Sequence, residues 1–357
     1  MTDSLEIDLG LPYITSEIPG IGGKIRQKTN HFQVEEIPVY EPQGLGNHLY
    51  VNITKENLTT REVQLRLADL FELKPEEVGK AGLKDKYAIT TQTFSVLFND
   101  HASPEEIMPI IEDNIPIKVN WAKYHNNKLR AGHLIGNKFT IIISEPKGTL
   151  EQAQVIADSI NETGLPNFYG VQRTGKGGEN IYQGWLILKK KKRLGDRWLR
   201  KYLLSSYQSY LCNRYIVKRL EKGLFDKILL GDIAKKHETG GLFWVEDVET
   251  DQARFDSKEI SFTAPMFGYK MSKPKDESLE LDNEILVEEE IDLQEFRGQR
   301  VKGTRRMGRI LPKITVSEHP DGIQLDFTLP KGSFATVLLR EFMKNDGLDE
   351  YEESTDS

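Results

Sequence analysis

Ala81-Gly82-Leu83-Lys84-Asp85-Lys86-Tyr87-Ala88-Ile89-Thr90-Thr91-Gln92 sets a single carboxylate between two lysines, opened by a glycine and closed by β-branched residues. Upstream, residues 60–71 read as a helix. Thr60 is the expected N-cap, and Val63, Leu65, Leu67, Leu70 and Phe71 supply an apolar face. Pro75-Glu76-Glu77 starts another short helical turn. Downstream, residues 90–98 alternate as a strand. Asp85 thus stands in a helix-to-strand connection, where polar side chains are presented to ligands. A carboxylate beside cations keeps its charge, as a nucleophile or base must. Ordinary surface decoration is the alternative, and this segment alone leaves both readings open.

The same mixture extends outward. Strand patterns occupy 23–25, 31–36 and 48–53. After the central strand come a helix at Pro104–Asn114, strands at 117–124 and 138–143, and a helix at Leu150–Thr163 stopped by Gly164-Leu165-Pro166. From Pro166 the character changes. Residues 197–220 form a long helical stretch dense in aromatic and basic side chains. Residues 231–238 and 242–248 are loop and strand, and 280–296 read as an acidic helix. After Pro312 strands return at 314–316 and 322–328, and 334–344 close the chain as a helix. The pattern predicts an α+β chain whose mixed sheet is interrupted by a more helical insert.

A chain of 357 residues suggests two domains or one elaborated domain. It has no run of about 18 apolar residues, so no transmembrane helix is expected, and MTDSLEIDLG lacks the features of a signal peptide. With one cysteine, Cys212, neither a disulfide nor a cysteine zinc site is possible within the chain, which fits a reducing cytoplasm. Cys212 is expected to pack inside a helix. The histidines show no metal-ligand spacing. Gly170-Val171-Gln172-Arg173-Thr174-Gly175-Lys176 imitates a phosphate-binding loop, but Gly177 stands where a magnesium-binding hydroxyl belongs.

The net charge of −7 argues against a polyanionic partner, but its distribution does not. Eight basic residues and one acid, Asp196, lie between Lys189 and Lys201; seven basic residues and no acid lie between Arg297 and Lys313. Ten carboxylates sit between Asp276 and Glu295, and six more in the tail. Surface field follows local charge within about 8–10 Å. A phosphate-binding face is therefore compatible with an acidic total, with two plain solvated faces as the alternative.

Seven segments in order carry a family resemblance. Residues 81–92 resemble the GxKDxxAxTxQ signature of the TruD pseudouridine synthases. Thr29-Asn30-His31-Phe32-Gln33-Val34-Glu35-Glu36 is similar to the family's DFxVxE stretch. Residues 44–50 with Lys55, Thr59 and Thr60 are similar to GxGxHxY…KxNxTT, and residues 128–139 to KLRxGHLxGNxF. Pro166-Asn167-Phe168-Tyr169-Gly170-Val171-Gln172-Arg173 is similar to PNxFGxQRFG, Leu203-Leu204-Ser205-Ser206-Tyr207-Gln208-Ser209 to LSAYQS, and residues 329–341 to LPxGSxATxLLRE. Departures are His31 for an acid, Ser144 where Arg is frequent, Tyr169 and Thr174 where Phe is common, and Cys212 for Phe.

The resemblance implies a V-shaped, two-domain α+β molecule with a largely antiparallel sheet. A discontinuous catalytic domain would cover 1–166 and 315–357, and the family's insertion 167–314. It implies a tRNA substrate, with uridine 13 of the D-stem as target, and the two basic runs facing RNA. Asp85 is implied as the carboxylate that acts at the sugar. Arg26 is implied as its orienting partner, with Lys24 competing. Phe32, Phe139 and Phe334 are implied as stacking aromatics and Asn137 as a polar hold on the base; core phenylalanines and a turn asparagine are the alternatives. The isomerisation retains all atoms and is redox-neutral, so no metal or cofactor is expected, nor a membrane or obligatory protein partner. A monomer is expected. The rival readings are a tRNA-binding or RNA-chaperone module that has lost catalysis, and a nuclease using clustered carboxylates.

Overall fold

The computed structural model describes residues 5, 7–98 and 102–345. The acidic tail, for which composition predicts disorder, lies outside the described residues. In chain order the first stretch contains β1 (Phe32–Pro38), β2 (His48–Glu56), α1 (Thr60–Leu70), β3 (Gly79–Lys80), β4 (Ile89–Leu97), α2 (Pro104–Asn114), β5 (Lys118–His125), β6 (Leu134–Ser144) and α3 (Leu150–Thr163). An insertion follows, with β7 (Leu165–Pro166), α4 (Val171–Thr174), α5 (Glu179–Leu188), α6 (Arg197–Glu221), β8 (Ile233–Lys236), β9 (Leu242–Trp244), α7 (Val248–Asp256), β10 (Ile260–Met266), α8 (Asp276–Glu288), α9 (Leu293–Gly298), β11 (Thr304–Met307) and β12 (Arg309–Ile310). The chain returns through β13 (Thr315–His319), β14 (Gly322–Pro330) and α10 (Ala335–Met343).

The chain divides into two compact units. One holds Gly20–Ala157, Lys313–Gly332 and the described residues from Phe342; the other holds the described residues of Met1–Pro19, with Asp158–Pro312 and Ser333–Glu341. The resemblance draws its boundaries at 166/167 and 314/315. In the structure β7 pairs with β12, Leu165 opposite Ile310, and this ties the chain ahead of residue 167 to the inserted segment.

The first unit is built on an eight-stranded sheet in the order β13-β14-β6-β1-β4-β2-β5, with β3 on β4. Only β1 and β4 pair in parallel, so the sheet is mixed and largely antiparallel, as the pattern predicted. Val51, Ile53 and Phe94 meet Val63 and Leu67 of α1 and Ile107 and Ile111 of α2 in one core. Burying each such side chain contributes roughly 1.5–3 kcal/mol. The N-cap of α1 is Thr59, not Thr60: the Thr59 hydroxyl accepts from Glu62 N, and the Glu62 carboxylate accepts from Thr59 N. Thr60 is thereby free to bond elsewhere. β6 begins four residues before the expected strand, at Leu134. Gly136 and Asn137 hide that start because neither favours a strand, and Gly136 is required: a Cβ there would lie 2.2 Å from Leu329 O. The strand expected at 23–25 is a single bridge, Lys24 to Ser144.

The second unit packs around α6, in which Cys212 is buried as expected and its thiol is pushed up to about 11 by that burial. Arg219 is the unit's polar anchor. It donates to both Asp232 oxygens at 2.9 and 3.0 Å, to Tyr215 Oη at 3.1 Å and to the carbonyls of Leu224 and Lys227. Asp232 also accepts from Leu229 N and Ser278 Oγ. The expected acidic helix is two helices, broken where Glu290 turns left-handed at φ 51°. Its acids are not simply solvated: Glu284, Glu288 and Glu289 pair with Lys218, Lys222 and Arg214 of α6. The second basic run is corrected more sharply. Arg305 is buried on Asp282 at 2.7 Å, Arg309 donates to the carbonyls of Phe255 and Ile260, and Arg306 donates to Asn167. These guanidiniums tie α7, α8, β10 and the Asn167 connection together, because buried carbonyls and carboxylates need donors. Among the described residues no helix is long and apolar enough to cross a membrane.

Candidate active site

The two lysines that bracket Asp85 have opposite fates. Lys86 is exposed, whereas Lys84 is buried and its ammonium meets Glu36 of β1 at 3.0 Å, both side chains almost fully covered. Thr60 Oγ1 accepts from Lys84 N at 2.8 Å and donates to Gln92 Oε1 at 3.0 Å. Lys55, at the end of β2 and also buried, donates to the carbonyls of Leu58 and, at 2.9 Å, Asp85. The backbone of residue 85 is therefore clamped on both sides while its carboxylate stays 26 % exposed. A buried ion pair such as Lys84–Glu36 is a poor source of stability but a strict geometric constraint. That constraint is what separates a presented carboxylate from surface decoration.

Arg26 approaches from the segment before β1. Its Nη2 lies 3.4 Å from Asp85 Oδ2, and its guanidinium lies 4.2 Å from the centroid of the Phe32 ring. Lys24 turns instead to Glu145, at 2.6 Å. Arg26 sits at φ 57°, a left-handed conformation costly for a side chain with a Cβ. Strain of about 1–3 kcal/mol survives only where surrounding structure enforces it, and it concentrates at functional sites. The pair is loose. A charge-assisted hydrogen bond runs at about 2.7–2.9 Å, so the carboxylate keeps acceptor capacity for a substrate.

Phe32 and Phe139 form the floor. Phe32 is 2 % exposed and Phe139 6 %. They meet edge to face at 6.4 Å, and Phe139 stacks on Phe327 at 5.1 Å. As they stand both are walls rather than open stacking faces. Val34 pairs with Phe139 and with Thr90, Glu36 pairs with Asn137, and Ile53 pairs with Gln92, so these side chains share one sheet face. Asn137 Oδ1, Thr90 Oγ1, Gln92 Nε2 and Arg26 Nε are buried there without a hydrogen-bond partner. Native interiors leave few such atoms; here three lie on one sheet face and the fourth belongs to the arginine that meets Asp85. A cavity of about 410 Å³ elsewhere in this unit, lined by Tyr40, Tyr50, Trp121 and His133, includes neither Asp85 nor Arg26.

His31 is buried and bridges Ser144 Oγ, at 3.0 Å, to Asp321 Oδ2, at 2.9 Å. Lys28 joins the same carboxylate at 2.7 Å, and these hydrogen bonds hold the Asp321 carboxyl down at about 2. Phe334 belongs to the second unit, half-buried, its ring 5.7 Å from Tyr169. Its surroundings are ordered by Asn167, which accepts from Ser333 Oγ at 2.9 Å, and by Arg306 over Tyr169 at 4.0 Å. Asn213 of α6 holds the Tyr169 backbone through both its N–H and its C=O. Among the described residues no three His, Cys, Asp or Glu side chains gather to hold a metal.

A family model described as tRNA pseudouridine synthase D (TruD) matches residues 8–192 and 190–342. The chain belongs to the TruD family. A TruD relative from Thermus thermophilus, named tRNA pseudouridine synthase D, is 43 % identical over 96 % of this chain and 94 % of its own length. One of the same name from an Anaeromyxobacter species is 38 % identical over 93 % and 96 %. The crystal structure of a putative TruD protein from Methanosarcina mazei superposes with a TM-score of 0.73 at 25 % identity, covering 96 % of this chain and 97 % of the other. Among the residues packed around Asp85, Lys55, Glu36, Thr60 and Gln92 are assigned no site role from the sequence, where Thr60 figures only as an expected N-cap and all four only within motif segments. Only the register reveals that their polar atoms converge.

Proposed function

We propose that this chain is a tRNA pseudouridine synthase that isomerises uridine 13 of the D-stem, with Asp85 as the catalytic carboxylate. The observation that carries the site is the Arg26–Asp85 pair, loosely made at 3.4 Å, beside a sheet face on which Asn137, Thr90 and Gln92 leave buried polar atoms without partners. The reaction breaks N1–C1′, turns the base and joins C5 to C1′; C5 gives up a proton and N1 gains one. Asp85 acts at the sugar. Arg26 fixes its orientation and supports its negative charge, as a forked guanidinium on a ring face can. Asn137 Oδ1 is an acceptor in want of a donor, which the uracil imide N–H supplies; Gln92 Nε2 and Arg26 Nε are donors for its carbonyls. A stacked uridine must first be flipped out, at a cost of a few kcal/mol. Satisfying atoms that are otherwise orphaned returns about 1–3 kcal/mol each. Phe32 and Phe139 back the site, and Phe334 is a further RNA-facing aromatic.

The test uses purified protein and an unmodified tRNA transcript carrying U13, without added metal or cofactor. Pseudouridine is mapped by carbodiimide adduct and primer extension. A stop at U13 that disappears with Asp85→Asn supports reaction, position and residue together. No stop, with binding retained, would leave a docking module of the same fold, and a stop elsewhere would move the target. Activity should persist in EDTA under conditions where the tRNA stays folded.

A further inference from the structure

We propose that the Trp198–Tyr202 stack at the start of α6 is a landing face for an unpaired nucleobase of the tRNA. The inference rests on the tRNA reading above and assigns a contact that reading does not contain. Trp198 is 72 % exposed, a large apolar area to leave in water. It is not loosely placed. Its ring lies parallel to that of Tyr202, at 7° and 5.5 Å between centroids. Tyr202 in turn has the Arg173 guanidinium 5.1 Å from its centroid, and Arg173 is bonded to Ser205. One face of the indole is thus fixed against an ordered ring, and the other is open to extend the stack.

Charge decides what extends it. The basic run that contains Trp198 separates into two sets. Lys189 pairs with Glu295, Lys191 lies over the Trp185 ring, Lys192 donates to Gln183 and Arg200 donates to Gln299. Lys190, Arg193, Arg197 and Lys201 are exposed and enter no ion pair among the described residues. The one acid of the run, Asp196, is occupied in accepting from Trp198 N and Leu199 N as the helix N-cap. An exposed indole amid uncommitted cations, in a chain of net charge −7, matches a polyanion that carries flat aromatic groups. An acidic protein would match the cations, but a nucleic acid carries a flat π-face at every unit beside its charge. Base-on-aromatic stacking tolerates any base, so the contact strengthens binding without reading sequence.

Trp198→Ala and Trp198→Phe are compared with wild type by tRNA binding across a salt series and by steady-state turnover. Trp198→Ala should weaken binding about tenfold and raise KM, leaving kcat and the melting temperature unchanged; Trp198→Phe should recover most of the loss. The slope of log K against log salt should stay the same in both, because no phosphate contact is lost. Arg193→Gln with Arg197→Gln should instead flatten that slope by roughly 1.5–2. Wild-type binding with an unaltered Trp198→Ala affinity overturns the landing face alone, and would mark the patch for a protein partner. Wild-type protein that does not bind tRNA overturns the tRNA reading and this inference with it.

Discussion

Two of the arginine–aspartate pairs in the molecule, Arg219–Asp232 and Arg26–Asp85, teach opposite lessons. Arg219–Asp232 is fully buried, bidentate at 2.9 and 3.0 Å, and saturated by Tyr215, Ser278, Leu229 and two carbonyls. Arg26–Asp85 is partly exposed and single-contact at 3.4 Å, and Arg26 Nε is buried without a partner. Both use the same two residue types. In the first, every donor and acceptor is consumed by the fold, so nothing remains for a ligand. In the second, the backbone is consumed and the side chains are left with capacity to spare. Incomplete satisfaction on a rigid frame, rather than the presence of the charges, distinguishes a site from a strut.

The largest expected contrast comes from neutralising each acid in turn. Asp85→Asn should lower turnover by at least about 10³-fold while moving the melting temperature by no more than a degree or so, measured by product mapping and calorimetry. Loss of stability comparable to loss of turnover would erase the distinction. Arg219→Met should do the reverse. Stranding the Asp232 charge costs about 3–5 kcal/mol, which lowers the melting temperature by about 10 °C; turnover per folded molecule should be unchanged. Next in size is Arg26. Arg26→Met should reduce kcat about 100-fold and Arg26→Lys about tenfold or less, since Lys keeps the charge and loses the fork. Equal losses would mean that ring packing on Phe32, not charge, is what Asp85 needs.

The smallest effect concerns pH. Burial and the charge of Arg309 hold the His237 imidazole down at about 4. Its unfolded value is near 6.5, so between those limits the unfolded chain binds more protons. Stability should therefore fall as pH drops from about 6.5 to about 4, by up to roughly 2 kcal/mol given partial solvent access. His237→Asn should flatten that part of a melting profile relative to wild type. An unchanged profile would mean that the second unit's polar interior is more open to water than its saturated Arg219 network implies.

Much of the fold was legible because period-two and helical patterns survive wherever one face is buried. α2 and α3 were bounded correctly from Pro104, Gly164 and the apolar spacing. α5, α7 and β10 were not seen. β10 does alternate, Ile260, Phe262, Ala264 and Met266 against Ser261, Thr263 and Pro265, but the proline inside it argues against a ladder strand, and Gly184 interrupts the helical signal of α5. The identity of Asp85 and Arg26 as a pair followed from the resemblance. The roles of Lys55, Thr60 and Gln92 did not, because a polar residue in a strand carries no mark of whether it turns to water or to a neighbouring loop. Charge runs misled for the same reason: Arg305 and Arg309 are contiguous with surface cations in sequence and interior in space, and Arg306 is half-buried on Asn167.

His31 and Ser144 depart from the family pattern at separate places in the sequence, yet they touch, at 3.0 Å. An acid at 31 opposite an arginine at 144 would form an ion pair in the same slot. The two departures therefore meet in one contact. Replacing the arginine first strands a buried carboxylate, and replacing the acid first leaves an arginine facing an imidazole. If the pair is coupled in this way, each single replacement should be less stable than either matched pair. Ancestral variants rebuilt one position at a time should show sign epistasis here, and positions 31 and 144 should be exchanged between relatives only as a unit.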